Sequence, residues 1–370
     1  MLSGLFAAIA VAPLYWLIVP ARWRREALAL ASLAAVTWAM RGSERSRRLA
    51  LGSAAGLALV ALFAWNKLAG DGLSVLPSQP GVVFLGVSFL VLKAAGAVID
   101  GTRGTLRDAR PREILAWLVF LPTYPSGPME TFDHFRAQAP HWEQRRALGG
   151  LERILFGLVK ALVIAHYLGV WVDPILAAPA QSSAPLLLLA LYALALRFYF
   201  DLAGYSDIAI GLSALYGYDI AENFDRPFAA RNLALLWQRW HMTLTGWLRT
   251  YVFTTVTRAL LRRSGGRRDH VAISAGLLAT FLLIGVWHGL SWNFVLFGLL
   301  QAIAVIWVTV FARDVGRRLL PPGLIRWWRE SPIGYALSVA VTFNYFAATT
   351  IFSMTGVMPA LRFLRALAGG

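Results

Sequence analysis

The chain has 370 residues, 58% of them hydrophobic and 15% charged, with a formal net charge of +16 and a mean hydropathy of +0.59. A water-soluble globule with an ordinary polar surface is excluded by such values. The surplus of Arg lies in short connections between apolar runs, which points to orientation in a bilayer and not to nucleic acid.

Apolar runs at Leu5 to Pro20, Ala50 to Trp65, Gly81 to Val98, Ile154 to Val172, Ala184 to Phe200, Val271 to His288, Trp292 to Phe311 and Gly334 to Phe352 approach or exceed the roughly 17–20 residues that a helix needs to cross a membrane. Unpaired backbone amides are costly in lipid, and continuous runs of this length lack the alternation of a barrel, so the spans are predicted to be helices. The first run has no basic flank before it and is expected to be retained as a span, not removed as a leader. Ala27 to Met40 is apolar but short and basic on both sides, which suggests a re-entrant or interfacial helix and leaves the N-terminus outside. The basic connections Arg41 to Arg48, Arg103 to Arg112, Arg258 to Arg268 and Arg313 to Arg329 are assigned to the cytoplasmic side. Gly70 to Pro80 and Asp173 to Pro185 carry no Lys or Arg and are assigned outside. One multi-pass domain over residues 1–370 is expected, since no repeat and no long linker divides the chain.

Three segments place breakers or ionisable groups where a span should be, and those are the informative positions of a membrane protein. Phe120 to Phe132 (FLPTYPSGPMETF) contains Pro122, Pro125 and Pro128 beside Ser126 and Gly127, so the backbone must leave the helix there. Arg197 to Tyr251 contains Asp201, Tyr205 and Asp207, then Asn223, then an aromatic and basic helix with Trp237, Arg239, Trp240 and His241. In that helix Trp237, Trp240, Leu244 and Trp247 are predicted to share one face. Gly285 to Asn293 (GVWHGLSWN) sets His288 between Trp287 and Trp292, with Asn293 next. Taken singly, each has a plainer reading: an interfacial loop, a helix anchored at the headgroups, a histidine making a structural hydrogen bond. Cysteine is absent, so no disulfide, no thiolate metal site and no cysteine acyl-enzyme is expected, and no metal site is assigned.

Taken together, FLGVSFLVLKAAG at Phe84 to Gly96, LPTYPSGP at Leu121 to Pro128, FDLAGYSDIAIGL at Phe200 to Leu212, ENFDRPF at Glu222 to Phe228, WQRWHMTLTGWLR at Trp237 to Arg249 and GVWHGLSW at Gly285 to Trp292 resemble the membrane-bound O-acyltransferase family. The nearest likeness is to its bacterial branch, which acts in teichoic acid D-alanylation and alginate acetylation, over a motif-rich core of about residues 84–302. The resemblance implies an all-α integral membrane protein, a ring of about 9–11 transmembrane helices with re-entrant and interfacial helices around a central funnel. It makes His288 and His241 the catalytic pair. It implies no bound cofactor, only an acyl donor presented from the cytoplasmic side as a phosphopantetheine thioester on an acyl-carrier protein or as acyl-coenzyme A. The acceptor would be an extracytoplasmic polymer hydroxyl or an accessory acyltransferase, and the location the bacterial cytoplasmic membrane. The branches are not separated: Thr250 and Met129-Glu130-Thr131 depart from related patterns, the SGP loop favours the D-alanyl type and Gly204 to Asp207 the alginate type.

Acyl transfer from a thioester needs a base, oxyanion stabilisation and exclusion of water. His288 is expected to be the base and His241 to orient the donor or stabilise the oxyanion, with Trp287 and Trp292 walling the site. Asp201, Tyr205, Asp207, Asn223, Trp237, Arg239, Trp240, Asn293, Ser126 and Pro128 are expected to line the substrate path. Val252, Val256 and Leu260, beside Arg258, Arg262 and Arg263, are expected to dock the donor carrier, unless that helix only rests on anionic lipid. A non-enzymatic transporter or scaffold of an envelope-modification complex is the competing class, since broken helices serve transporters too.

Overall fold

A computed structural model describes residues 44–70, 87–106, 108–124 and 127–369. The expectations for Leu5 to Pro20 and Ala27 to Met40, and the placement of Ser126, fall outside them. Among the described residues the regular elements are all helices, as the apolar runs require. In chain order the principal helices are α1 (Arg45–Gly70), α2 (Val87–Arg103), α3 (Pro111–Leu118), α4 (Phe132–Ala137), α5 (Gln144–Ala177), α6 (Ala184–Leu215), α7 (Leu233–Arg239) and α8 (Met242–Leu248). They are followed by α9 (Thr254–Arg263), α10 (Asp269–His288), α11 (Trp292–Phe311), α12 (Ala312–Leu319), α13 (Pro322–Glu330), α14 (Pro332–Thr355) and α15 (Val357–Leu367). Among the described residues five helices are long and apolar enough to cross a membrane: α5, α6, α10, α11 and α14. Residues Val159–Ala165 within α5 and Trp307–Phe311 within α11 are wound as π-helix.

Contacts group the chain into two compact units, one of Met1–Gly157 with Tyr205–Ala221, the other of Leu158–Gly204 with Glu222–Gly370. In the first, the Pro-rich segment leaves the helix as its composition demands: a short 3-10 turn spans Leu121–Thr123, and Pro128 to Glu130 are non-helical and buried. Polar groups hold it. Lys93 Nζ donates to Trp117 O at 2.9 Å and to Thr123 Oγ1 at 3.4 Å, and lies 5.1 Å from the centre of the Trp117 ring. Trp117 Nε1 donates to Glu130 O at 2.9 Å, and the Glu130 carboxylate meets His134 Nδ1 at 2.7 Å. Trp117, Phe120, Phe132, Phe135 and Tyr218 pack around this knot as the unit's core.

In the second unit α10 and α11 form a hairpin packed backbone to backbone. A methyl group on Gly285 would lie 2.4 Å from Phe294 O, and one on Gly298 would lie 2.4 Å from Phe281 O. Only glycine permits that approach, and it fixes where α10 ends and α11 begins.

Candidate functional site

The sequence predicts one helix across Trp237 to Arg249. The structure corrects this: α7 stops at Arg239, Trp240 is extended, His241 is left-handed with φ 45°, and α8 restarts at Met242. The break has a long-range cause. The segment following Glu222 runs alongside, with Asp225 N–H donating to Arg239 O at 3.0 Å and Met242 N–H donating to Asn223 O at 2.8 Å. Those bonds engage backbone groups that a continuous helix would have used. The predicted shared face of Trp237, Trp240, Leu244 and Trp247 therefore does not form. Arg226 (φ 44°) and His241 are the non-glycine residues with positive φ among the described ones, and both sit in this loop pair. Left-handed backbone costs a non-glycine residue roughly 1–2 kcal/mol and gathers where function requires a fixed geometry.

His241 is buried, and Asn223 is buried beside it. Asn223 Oδ1 accepts from Thr243 Oγ1–H at 2.8 Å and from Thr243 N–H at 3.4 Å, and stands 3.1 Å from His241 Nδ1. An oxygen receiving the Thr243 amide hydrogen can only accept, so His241 Nδ1 is the donor to it. The neutral imidazole then carries its lone pair on Nε2. Burial, and secondarily the charge of His288, push the His241 pKa down to about 3, so the ring is neutral.

His288 is the last residue of α10, half-buried, and Gly289 turns the chain into extended backbone after it. Trp287 meets its ring edge-on at 4.9 Å, and Phe294 stacks on it at 6.1 Å with 19° between planes. The wall facing His288 is thus Trp287 and Phe294. Trp292 is 80% exposed. Asn293 ties the α11 entrance to α14, its Nδ2 donating to Phe352 O at 3.3 Å and its Oδ1 accepting from Ser291 Oγ–H at 2.6 Å.

The remaining expected residues divide. Trp240 is buried in an aromatic cluster directly before His241, with Phe346 at 5.0 Å, Phe224 at 5.2 Å and Phe198 at 5.3 Å. Trp237 is core: its Nε1–H donates to Gln301 Oε1 at 3.1 Å, and Gln301 Nε2–H donates to Thr349 Oγ1 at 2.7 Å. Arg239 contributes its backbone carbonyl to the loop pairing described above. Asp201 opens onto a cavity in the second unit. Tyr205, Asp207 and Pro128 belong to the first unit, where Tyr205 is exposed, Pro128 is buried and Asp207 is bound by Arg153 through Nη2 at 2.9 Å and Nε at 3.0 Å. Val252, Val256 and Leu260 are half-buried, with Val252 in a π-wound turn over Arg249–Phe253, while Arg258, Arg262 and Arg263 are exposed.

Sequence reasoning missed Arg153, Thr243, Phe294 and Gln301. Arg153 and Gln301 carried a signal, being polar residues inside helices apolar enough to span. Thr243 and Phe294 carried none, because their neighbours are of the same kind.

A helical membrane protein with one histidine in a strained break between two helices and another at the end of a spanning helix, each beside aromatic rings, is the class that fold and site define. The profile of the membrane-bound O-acyltransferase family matches residues 103–329, and the chain belongs to that family. It is 29% identical over 277 residues to a teichoic acid D-alanyltransferase of Streptococcus thermophilus, covering 70% of this chain and 66% of that one. It is 28% identical over 278 residues to a teichoic acid D-alanyltransferase of Bacillus subtilis, covering 73% and 68%. To a probable alginate O-acetylase AlgI of Azotobacter vinelandii it is 29% identical over 307 residues, covering 80% and 57%. The matches thus span about two thirds or less of these relatives' lengths.

Proposed function

We propose that this protein is a membrane O-acyltransferase of the bacterial cell envelope, moving an acyl group from a cytoplasmic thioester to a hydroxyl on the outer side, with His288 as general base. The thioester would be a phosphopantetheine arm on an acyl-carrier protein or acyl-coenzyme A, and the acyl group D-alanyl or acetyl. The observation that carries the reading is that one unit holds both His241, buried and oriented by Asn223, and His288 at the end of α10. In the step, a ring nitrogen of His288 takes the proton of the acceptor hydroxyl while its oxygen attacks the thioester carbonyl. The carbon–oxygen bond forms, the carbon–sulfur bond breaks, and the thiolate leaves with a proton returned from the imidazolium.

Asn223 alters the part that His241 can play. With Nδ1–H directed at Asn223 Oδ1, a neutral His241 offers Nε2 as an acceptor, which suits holding a hydroxyl in line and does not suit donating to an oxyanion. Trp287, Phe294 and the Trp240 cluster would exclude water that could hydrolyse the donor.

The test is mass spectrometry of envelope polymers from cells with the gene, without it, and carrying His288→Gln. Loss of one ester-linked modification in the deletion, unrestored by His288→Gln at normal abundance in the membrane, is expected. A His288→Gln strain with wild-type modification would favour the transporter or scaffold, which needs no base.

A further inference from the structure

Within the second unit, the facing stretches of α5 and α6, with Met354 of α14, line a half-open cavity of about 310 Å³. Leu162, Ala165 and Phe198 form its apolar wall, and His166, Arg197 and Asp201 its polar one. Both helices are apolar enough to cross a membrane, where ionisable side chains are costly and mark pathways or ligand sites.

The polar wall is built in. Gly169 is buried against Arg197, and a methyl group there would lie 2.9 Å from the guanidinium carbon, so the glycine clears a groove in which that side chain lies across α5. Arg197 also pairs with Asp173, but a guanidinium has five N–H donors and one partner does not exhaust it. The cavity also borders the π-helical turn Val159–Ala165, through Ala161, Leu162 and Ala165. Such turns are rare and recur at functional sites.

The mouth tells what can enter. Leu162 lines the cavity and is itself 65% exposed, in a stripe of exposed apolar residues with Val159, Val163 and Val170. On a spanning helix that stripe faces hydrocarbon. A ligand that arrives along an apolar surface and then meets a guanidinium and a carboxylate is a lipid with a doubly charged headgroup.

We propose that this cavity binds the headgroup of a zwitterionic phospholipid bearing a primary ammonium, the phosphoethanolamine type. Its phosphate pairs with Arg197 and His166, and its ammonium donates to Asp201. A choline headgroup has no N–H to give Asp201, and a glycerol headgroup has no cation. Phe198 links this cavity to the site, since its other neighbour is Trp240, stacked at 5.3 Å with 28° between planes, directly before His241. A seated headgroup therefore braces the wall behind the histidine.

The full-length chain would be purified in detergent, exchanged into nanodiscs of phosphatidylcholine doped equally with phosphatidylethanolamine and phosphatidylglycerol, and re-extracted, and its retained lipids measured by native mass spectrometry. Phosphatidylethanolamine should be retained over the other two by roughly tenfold or more, the scale of one charge-assisted hydrogen bond. Asp201→Asn should remove that preference. Leu162→Trp, which fills the mouth from the lipid side and leaves every charge in place, should remove retention altogether and serves if Asp201→Asn fails to fold. Equal retention of the three lipids, or a preference that survives both substitutions, overturns the proposal. So does displacement of the lipid by D-alanine methyl ester, whose ammonium would assign the cavity to the acyl group.

Discussion

Around the Pro-rich segment of the first unit, buried polar groups close on one another. Lys93 caps the end of α3, Trp117 holds Glu130, Glu130 holds His134, and Asp207 is clamped by Arg153. Around the histidines of the second unit, the polar contacts instead orient a group: Asn223 Oδ1 accepts from Thr243 and from His241 Nδ1, which sets the tautomer of His241. Both arrangements bond most of their buried polar atoms, as burial requires, with the Glu130 Oε2 oxygen the exception. They differ in what is left to react. A closed knot fixes backbone where helix cannot continue, whereas an aimed one leaves a lone pair at a chosen atom.

The sharpest break in that comparison is His288→Ala. One half-buried ring is lost at the end of α10, the backbone contacts of Gly285 and Gly298 remain, and the protein should stay folded in detergent. Transfer should fall by ~10²–10⁴, the usual cost of a general base. Single-turnover transfer to an acceptor oligomer measures it, and near wild-type turnover would remove His288 from the reaction.

Next in size is Asn223→Leu, which frees the His241 ring to rotate and to take the other tautomer. A loss of roughly 10–100-fold is expected, by analogy with residues that orient metal-bound histidines through the other ring nitrogen. Asn223→Asp sharpens the point. It keeps an acceptor at Nδ1 but adds a negative charge, which favours the protonated imidazole and raises the pKa of His241 from about 3. The proposed role of His241 needs the neutral ring, so activity should be lost at a higher pH on the acid side than in the wild type. A pH profile that does not move would mean that Asn223 serves packing alone.

The spans could be read from the sequence because they are local properties: α5, α6, α10, α11 and α14 follow from unbroken apolar runs, whereas His241 and His288 are singled out by the family resemblance. The break at Trp240 could not. It depends on an earlier segment, through the backbone bonds of Asp225 to Arg239 and of Met242 to Asn223, which no periodicity records. Asp201 and Asp207 look equivalent as text, six positions apart on either side of Gly204-Tyr205. The difference between them is Arg153, 54 positions from Asp207.

That difference is open to test on the structural side. Arg153→Leu leaves the Asp207 carboxylate buried without its clamp, and a loss of about 1–3 kcal/mol is expected, below the full figure for a buried pair because Arg153 is partly exposed. Thermal unfolding in detergent should show it, and adding Asp207→Asn should recover part of the loss. An unshifted transition would mean that the ion pair contributes nothing to the first unit.

The smallest effect is expected at α9, the helix proposed to face the cytoplasm. Val252, Val256 and Leu260 are half-buried, and Thr257 on the same helix is tied to Ala272 O of α10 at 3.3 Å. The apolar residues expected to dock a carrier are thus partly engaged within the chain, and Val256→Asp with Leu260→Asp would confound docking with folding. The exposed Arg258 and Arg262 are cleaner probes. If an acidic acyl-carrier protein delivers the thioester, these charges steer its approach, and Arg258→Glu with Arg262→Glu should raise the KM for the carrier several-fold with kcat unchanged. Rim charges act on encounter more than on the bound state, so the defect should shrink as salt rises. Enzyme abundance in the membrane is the control, because the same Arg side chains could be resting on anionic headgroups. A wild-type KM for the carrier, or full activity with free acyl-coenzyme A and no carrier at all, would leave α9 as a membrane anchor and move the donor's entry elsewhere.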